Sequence, residues 1–449
     1  MRWSAPADKG VAEAVIATFR DPVERSLERL AAFRYSEWAR TYHWLDASGM
    51  ALYFLQRIEA LGIEGALPSA TLARLRQNLA DNRERTAAVF AEFTAVNQAF
   101  QQAGVRYCNL KGFTLIPESC PDPTLRCQLD LDFLVAGGDL KRCRELLTAA
   151  GYTLIAVTNS VWEFKAGASE VPGIEDHYKP KAQRSVELHF ASPATAADSP
   201  FSDALLDRRT MRAWGGLTFP ALSDGDQFVG QAMHIFVHLC SAHTRVAWLL
   251  EYQRHVSVRF DNRSFWDDVR ERAQTHRHAF IAIGLATLLS SRIFGNRSPG
   301  QLNEWTLDLL PAPVRLWADH YGREALLTDF PGTKLYLLLR DELARGDGFW
   351  QREKRRSLLP IHRAPRIVRA ESNDTLRKRL GRTAFQLRFS LFRFHFHVTQ
   401  GLRYMVAAFL WKRRVAALEG DTPGLEATGR PLACNRQIEH GKDLTRRSC

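Results

Sequence analysis

Two aspartates, Asp130 and Asp132, stand two apart in the apolar run QLDLDFLV (Gln128–Val135), and a third acid, Glu187, lies in a second alternating run, SVELHF (Ser185–Phe190). As a strand, the first run turns Leu129, Leu131 and Phe133 one way and both aspartates the other, with the carboxylates about 6.6–6.8 Å apart. Like charges on one strand face repel unless something positive lies between them. A divalent cation meets that need, and two ions about 3.5–4 Å apart, bridged by a carboxylate, suit in-line phosphoryl chemistry. In the second run Val186, Leu188 and Phe190 face the core while Glu187 and His189 share the opposite face. Paired beside the first strand, it would bring Glu187 to the same site as a third carboxylate. The plainer alternative makes all three acids solvent-facing residues of an edge strand. Asp is a poor strand former, and finding it twice among strong formers weighs against that alternative.

Residues upstream add phosphate-binding chemistry. Lys111-Gly112 falls at a predicted strand end, where glycine lets backbone approach a phosphate closely. Arg126, four residues before Asp130, is suited to pair bidentately with phosphate oxygens. Pro121, Asp122 and Pro123 would fix the loop between them. Downstream, MHIFVHLCSAH places His234, His238 and His243 on or near one helix. His234 and His238 have i, i+4 metal-ligand spacing, but with no carboxylate in register, packing or cleft lining is the favoured reading. His189, Arg245 and Trp248 join them as candidates for contacts to an acceptor substrate.

The elements that must position these groups follow from periodicity. Residues 1–97 read as helical throughout, with one long helix predicted from an N-cap at Ser69 to a stop at Gly104. VRYCNL then reads as a strand, KGF as a turn and QLDLDFLV as a strand. GDLKRCRELLTAAGY is an amphipathic helix, with Asp139 as its cap and Gly151 as its stop. YTLIAVT, VWEFKA and SVELHF are further strands. The order helix–strand–strand–helix–strand–strand–strand over about 98–195 is an α+β unit, not a regular βαβ array. From about 200 helix is expected to return, including one long amphipathic stretch ending near Val256. The expected organisation is a helical region over 1–97, the α+β core over 98–195, a helical acceptor or cleft domain over 196–350, a basic amphipathic segment over 351–419 and a disordered tail over 420–449.

Composition sets bounds. The chain has 449 residues, 45% hydrophobic and 24% charged, ordinary values for a globular protein with real cores. No apolar run reaches the roughly 18–20 residues of a membrane span, and no signal peptide is evident. Seven cysteines, an odd number with no CxxC pair, argue against a disulfide framework and for the cytoplasm.

The series LKG, PDP, Arg126, DLDFLV, then ELH, then a helix with spaced histidines resembles the uncharacterised bacterial nucleotidyltransferase family of the DNA polymerase β-like superfamily, over about residues 98–250. The resemblance implies a small, mixed-sheet, palm-like nucleotidyltransferase domain flanked by N-terminal and C-terminal helical regions. It implies Asp130 and Asp132 as ligands of two Mg²⁺ (or Mn²⁺) ions, with Glu187 as the third carboxylate. Lys111 and Gly112 would lie where the superfamily has a Gly-Gly or Gly-Ser turn beneath the triphosphate; Lys111 is a departure at the first of those positions. The implied reaction is transfer of a nucleoside monophosphate from a nucleoside triphosphate to the hydroxyl of an unknown acceptor, small molecule or protein. A catalytically inactive nucleotide-binding or scaffold protein of the same fold is the alternative.

Net charge is +12, yet Gln351–Val415 alone holds 17 Lys/Arg against 3 acids, so the remainder is near −2. Three readings of this segment stand open. It is a helical subdomain with a solvated basic face, a helix on an anionic membrane surface, or, least favoured without a known module, a nucleic-acid patch. For the second, Phe389, Phe392, Phe396 and Trp411 are the candidates for insertion, beside Arg388, Arg393, Arg403 and Lys412–Arg414.

Overall fold

The structure, a computed structural model, describes residues 7–167, 173–180, 184–191, 202–276, 278–295, 297–344, 348–359 and 376–420. The chain divides into two compact units, one of Ser4–Phe236 with Arg245–Leu310, the other including Val237–Thr244 and Pro311–Cys449. The tail expected to be disordered, 420–449, lies outside the described residues apart from Gly420.

The first unit is built on a mixed seven-stranded sheet. Its strands are β1 (Tyr107–Leu110), β2 (Leu131–Val135), β3 (Thr153–Val157), β4 (Val161–Ala166), β5 (Arg184–His189), β6 (Thr210–Trp214) and β7 (Leu217–Ala221), in the order β3-β4-β5-β2-β1-β7-β6. β2 pairs antiparallel with β1 and parallel with β5; β7 pairs parallel with β1, and β3–β4, β4–β5 and β6–β7 are antiparallel. The acidic strand is therefore the middle of the sheet, three strands from either edge, and not an edge strand.

Four helices precede the sheet: α1 (Lys9–Ala17), α2 (Val23–Ala31), α3 (Tyr35–Ala47) and α4 (Ala51–Leu61). α5 (Ser69–Gln102) follows, with Pro68 rather than Ser69 in the cap position and a stop at Gly104, whose φ is +65°. α6 (Leu140–Ala149) comes between β2 and β3. Its start differs from expectation in detail: Asp139 does not cap the helix but accepts a hydrogen bond from the Arg106 N–H at 2.9 Å.

Strand alternation sets the core. Leu131, Phe133 and Val135 of β2, with Val186 and Leu188 of β5, join Phe93, Val96 and Phe100 of α5 and Cys143 and Leu147 of α6. The opposite face of β2 points Leu134 into a smaller cluster with Cys108, Leu110 and Leu222 and with Leu205 and Leu206 of α7 (Asp203–Asp207). With apolar packing on both faces, β2 is buried along its whole length.

Helix does not simply return at 200. β6 and β7 form a hairpin that extends the sheet beyond β1. Gly215 and Gly216 make its two-residue turn, both at positive φ (+55° and +80°), the geometry of a tight hairpin. The expected long helix is two helices, α8 (Asp224–Leu239) and α9 (Val246–Val258). α10 (Arg263–Gln274), α11 (Ala279–Phe294) and α12 (Gly300–Trp305) complete the unit.

The second unit is helical, with α13 (Ala312–Trp317), α14 (Arg323–Leu327), α15 (Tyr336–Leu343), α16 (Gly348–Leu358) and the 45-residue α17 (Leu376–Gly420).

Phe133 is fully buried and packs its ring against Phe93, Phe100 and Tyr107. Phe133→Ala is expected to lower unfolding free energy by about 3–5 kcal/mol, measured as a reduced urea midpoint. A loss below about 1 kcal/mol would show that the β2–α5 contact is not the core of this unit.

Candidate active site

The site forms where β2 and β5 lie side by side. Their parallel register sets Asp132 against Glu187 and Leu134 against His189. Because registered neighbours point to the same face, the acid of β2 and the acid and imidazole of β5 converge. His189 Nε2–H donates to Asp132 Oδ1 at 2.8 Å and lies 3.7 Å from Glu187 Oε2. Asp132, Glu187 and His189 each offer one ligand atom, all within 4.8 Å of one another. β4 extends the row: Glu163, also buried, stands opposite Glu187, with Lys165 Nζ 3.5 Å from its Oε1. Glu163 was not singled out from the sequence, although the alternation in VWEFKA carries it.

Asp132 is only 6% exposed, so its charge needs a partner. Lys111 supplies one, with Nζ 3.0 Å from Asp132 Oδ1. Burial by itself would raise the Asp132 carboxyl; the Lys111 ammonium and the hydrogen bond and charge of His189 outweigh it and hold Asp132 well below the usual carboxylate range. Burial likewise opposes the charge on Lys111, and Asp132, Asp130 and Glu187 together reverse that and raise its pKa.

Lys111 holds this place at a conformational cost. Its backbone has φ +53° and ψ −161°, and it is the one non-glycine residue at positive φ among those described. That is close to a region open essentially to glycine, and holding another residue there costs about 1–3 kcal/mol. Gly112 follows at φ +54°, and a Cβ there would come within 2.4 Å of the Gln128 amide. The backbone thus keeps a two-glycine turn while the first side chain is a lysine aimed at the acids.

Asp130 lies outside the strand that was expected to contain it, because β2 begins at Leu131. It is not among the three ligand groups that meet. Burial and then the nearby Asp132 charge raise its pKa, against the pull of Lys111, Arg126 and Arg245.

Arg126 is not an exposed loop cation. Its Nε donates to Glu251 Oε1 of α9 at 3.0 Å, and its side chain is 16% exposed. Glu251, almost fully buried, also accepts from Tyr53 of α4 at 2.9 Å. The loop carrying Arg126 is pinned from below by two buried polar residues of α5. Asn82 donates to the Thr124 and Arg126 carbonyls at 2.6 and 3.2 Å, and Arg85 donates to the Gln128 carbonyl. Asp122 caps the Pro123–Leu125 turn by accepting from Thr124 N–H at 2.9 Å. Polar residues on the inward stripe of α5 were the available signal for Asn82 and Arg85.

The histidines of α8 do not join this cluster. His234 packs edge-on against Trp248, ring centroids 4.5 Å apart. His238 is on the last turn of α8, and His243 lies beyond the helix end, in ring contact with Phe330. Arg245 occupies the N-cap position of α9, with its guanidinium 5.6 Å from the Trp248 ring centroid and its charge acting on Asp130.

Residues 35–295, more than half of the chain, match the family described as uncharacterised nucleotidyltransferase, and the chain belongs to that family. Among solved structures, one described as an antigenic nucleotidyltransferase-like protein from Paracoccidioides brasiliensis is similar at 12% identity and TM-score 0.27, covering 46% of this chain and 96% of that one. No curated protein matches.

Removing Arg126 leaves Glu251 buried without its cation. Arg126→Ala is expected to destabilise the protein by about 3–5 kcal/mol, and adding Glu251→Gln should recover much of the loss. Denaturation of the single and double variants measures both effects. A single variant as stable as wild type would show that the ion pair does not hold the loop.

Proposed function

We propose that the protein transfers a nucleoside monophosphate from a nucleoside triphosphate to an acceptor hydroxyl, with release of pyrophosphate. The observation that carries this reading is the register of β2 and β5, which brings Asp132, Glu187 and His189 together on one buried face. Family membership supports nucleotidyl transfer in general; the donor, the metal and the two-ion arrangement are parts of the proposal.

The ligand atoms of two carboxylates and an imidazole lie within 4.8 Å of one another, close enough for a divalent cation, and the carboxylates are the donors that suit Mg²⁺ or Mn²⁺. Lys111 against Asp132 shows that the same corner already accommodates positive charge. Asp132 and Glu187 would hold the ion, joined by His189 once its ring nitrogen gives up its proton, and Asp130, two residues from Asp132, is the acid available to a second one. Bound there, the cation supplies charge neutralisation and polarisation of a phosphate oxygen.

The chain's own groups do the rest. Lys111 keeps an ammonium at the acid cluster, against Asp132 without substrate and against phosphate oxygens with it. Gly112 leaves room for close approach at that turn. Glu187, on the face of the cluster, would serve either as a ligand of the ion or as the group that takes the acceptor's proton. Arg126 acts through position: tied to Glu251, it fixes the loop leading into Asp130. Arg245 contributes positive charge near Asp130.

One observation favours the second reading, a nucleotide-binding protein without catalysis. Lysine replaces the small residue expected under a triphosphate, and its ammonium sits on Asp132.

Calorimetry with Mn²⁺ and a non-hydrolysable nucleoside triphosphate tests the site. Asp132→Asn and Glu187→Gln are each expected to weaken ion binding about tenfold or more; Asp132→Asn, which takes the carboxylate from Lys111 and His189, should also lower the melting temperature, so both variants are titrated at a temperature where each is folded. Unchanged affinity in both would overturn the proposal. Transfer of labelled nucleotide to a cell-extract acceptor separates the readings: ion and nucleotide binding without any transfer or pyrophosphate release would favour the non-catalytic one.

A further inference from the structure

α17 carries two apolar faces. One is used within its own unit: Phe389, Tyr404, Ala407, Trp411 and Val415 are buried. Tyr404 donates to Asp341 Oδ2 at 3.2 Å and Trp411 to Glu342 Oε1 at 2.9 Å, both on α15. The other face is bare. Leu387, Leu391, Phe394, Val398, Leu402 and Met405 are each between 43% and 64% exposed. Their spacings of three and four residues place them on one line at about 100° per residue, opposite the buried face. Leu380 and Phe409, also exposed, continue the line at its two ends.

The charge around this line is of one sign. From Leu376 to Leu418 the sequence holds ten Lys/Arg and no Asp or Glu. Arg403 and Arg414 are engaged within the unit, with Glu324 and with the Tyr321 hydroxyl. Arg388, Lys412 and Arg413 are exposed, and the Arg413 guanidinium lies 4.3 Å from the Phe409 ring centroid, beside the apolar line.

We propose that α17 lies in the plane of an anionic lipid surface, with its Leu387–Met405 line in the acyl boundary and its cations at the headgroups. Two properties select this occupant. A second copy of the helix would bring the same positive charge against the line, so a self-pair is opposed where an anionic surface is attracted. The line is also a single convex stripe about 27 Å long. A fluid bilayer receives such a stripe without needing a groove in it. An in-plane helix agrees with the absence, among the described residues, of any helix long and apolar enough to cross a membrane. The inserting residues differ from those expected from sequence: Phe389 and Trp411 face inward, and the Leu387–Met405 line takes their place. The proposal does not depend on the nucleotidyl-transfer reading.

The full-length protein should sediment with phosphatidylcholine vesicles that contain phosphatidylserine, and not with phosphatidylcholine alone. Binding should weaken as salt shortens the screening length from about 10 Å at 0.1 M to about 3 Å at 1 M. Leu391→Asp with Phe394→Asp should reduce binding at least about tenfold, as should the milder Leu391→Ser with Phe394→Ser, while the melting temperature stays near wild type. Thr399→Ala, off the line, should bind as wild type does. Three results would each overturn the proposal: protein left in solution with phosphatidylserine vesicles at low salt, equal binding by the line variants, or equal binding to phosphatidylcholine alone. A lipid-free dimer that the line variants dissociate would also overturn it, by identifying a second copy as the occupant.

Discussion

A carboxylate in the middle strand of a seven-stranded sheet is the constraint on which the site depends. Asp132 is flanked by three strands on each side and is almost wholly shielded from water. An unpaired charge there would cost several kcal/mol. Lys111 and His189 meet on the same Asp132 oxygen, one from the turn after β1 and the other from β5. The strained backbone at Lys111 and the parallel approach of β5 are both arrangements that serve this one oxygen. Under the proposed function, this cluster of acids, now balanced by a lysine ammonium, would exchange that cation for a metal ion when nucleotide binds.

A second ionic arrangement, independent of the first, holds the approach to that strand. Arg126 and Glu251 pair across loop and helix, and Asn82 and Arg85 of α5 fix the carbonyls on either side. The loop is therefore set by helices at both ends of the unit's sequence, α4 and α5 before the sheet and α9 after it. The family match, over residues 35 to 295, takes in these helices as well as the strands.

Much of this architecture was legible in the sequence because hydrophobic alternation is a local signal. β1 to β5 and α6 fall within or close to the runs VRYCNL, QLDLDFLV, GDLKRCRELLTAAGY, YTLIAVT, VWEFKA and SVELHF, and the placement of Glu187 beside Asp132 required only that their strands pair. The hairpin β6–β7 was missed because TMRAW has weak alternation and an exposed outer strand; its signal was the Gly215-Gly216 turn. The Arg126–Glu251 pair was hidden for another reason. Its two residues lie 125 apart in sequence, and no local pattern announces a pair over that separation. On α17, Phe and Arg interleave so evenly that either apolar face could have been the inward one, and only the packing of Tyr404 and Trp411 against α15 decides it. Asp130 shows the limit of alternation at an element's end, where a strand that starts at Leu131 and not at Gln128 removes a carboxylate from the row.

The most direct test of the site is anomalous diffraction from crystals grown with Mn²⁺ and a non-hydrolysable nucleoside triphosphate. A manganese peak bound by Asp132 and Glu187, with the Lys111 ammonium displaced from Asp132 towards a phosphate, is the predicted result. A well-ordered nucleotide with no manganese at these residues, and the Lys111–Asp132 pair intact, would contradict it.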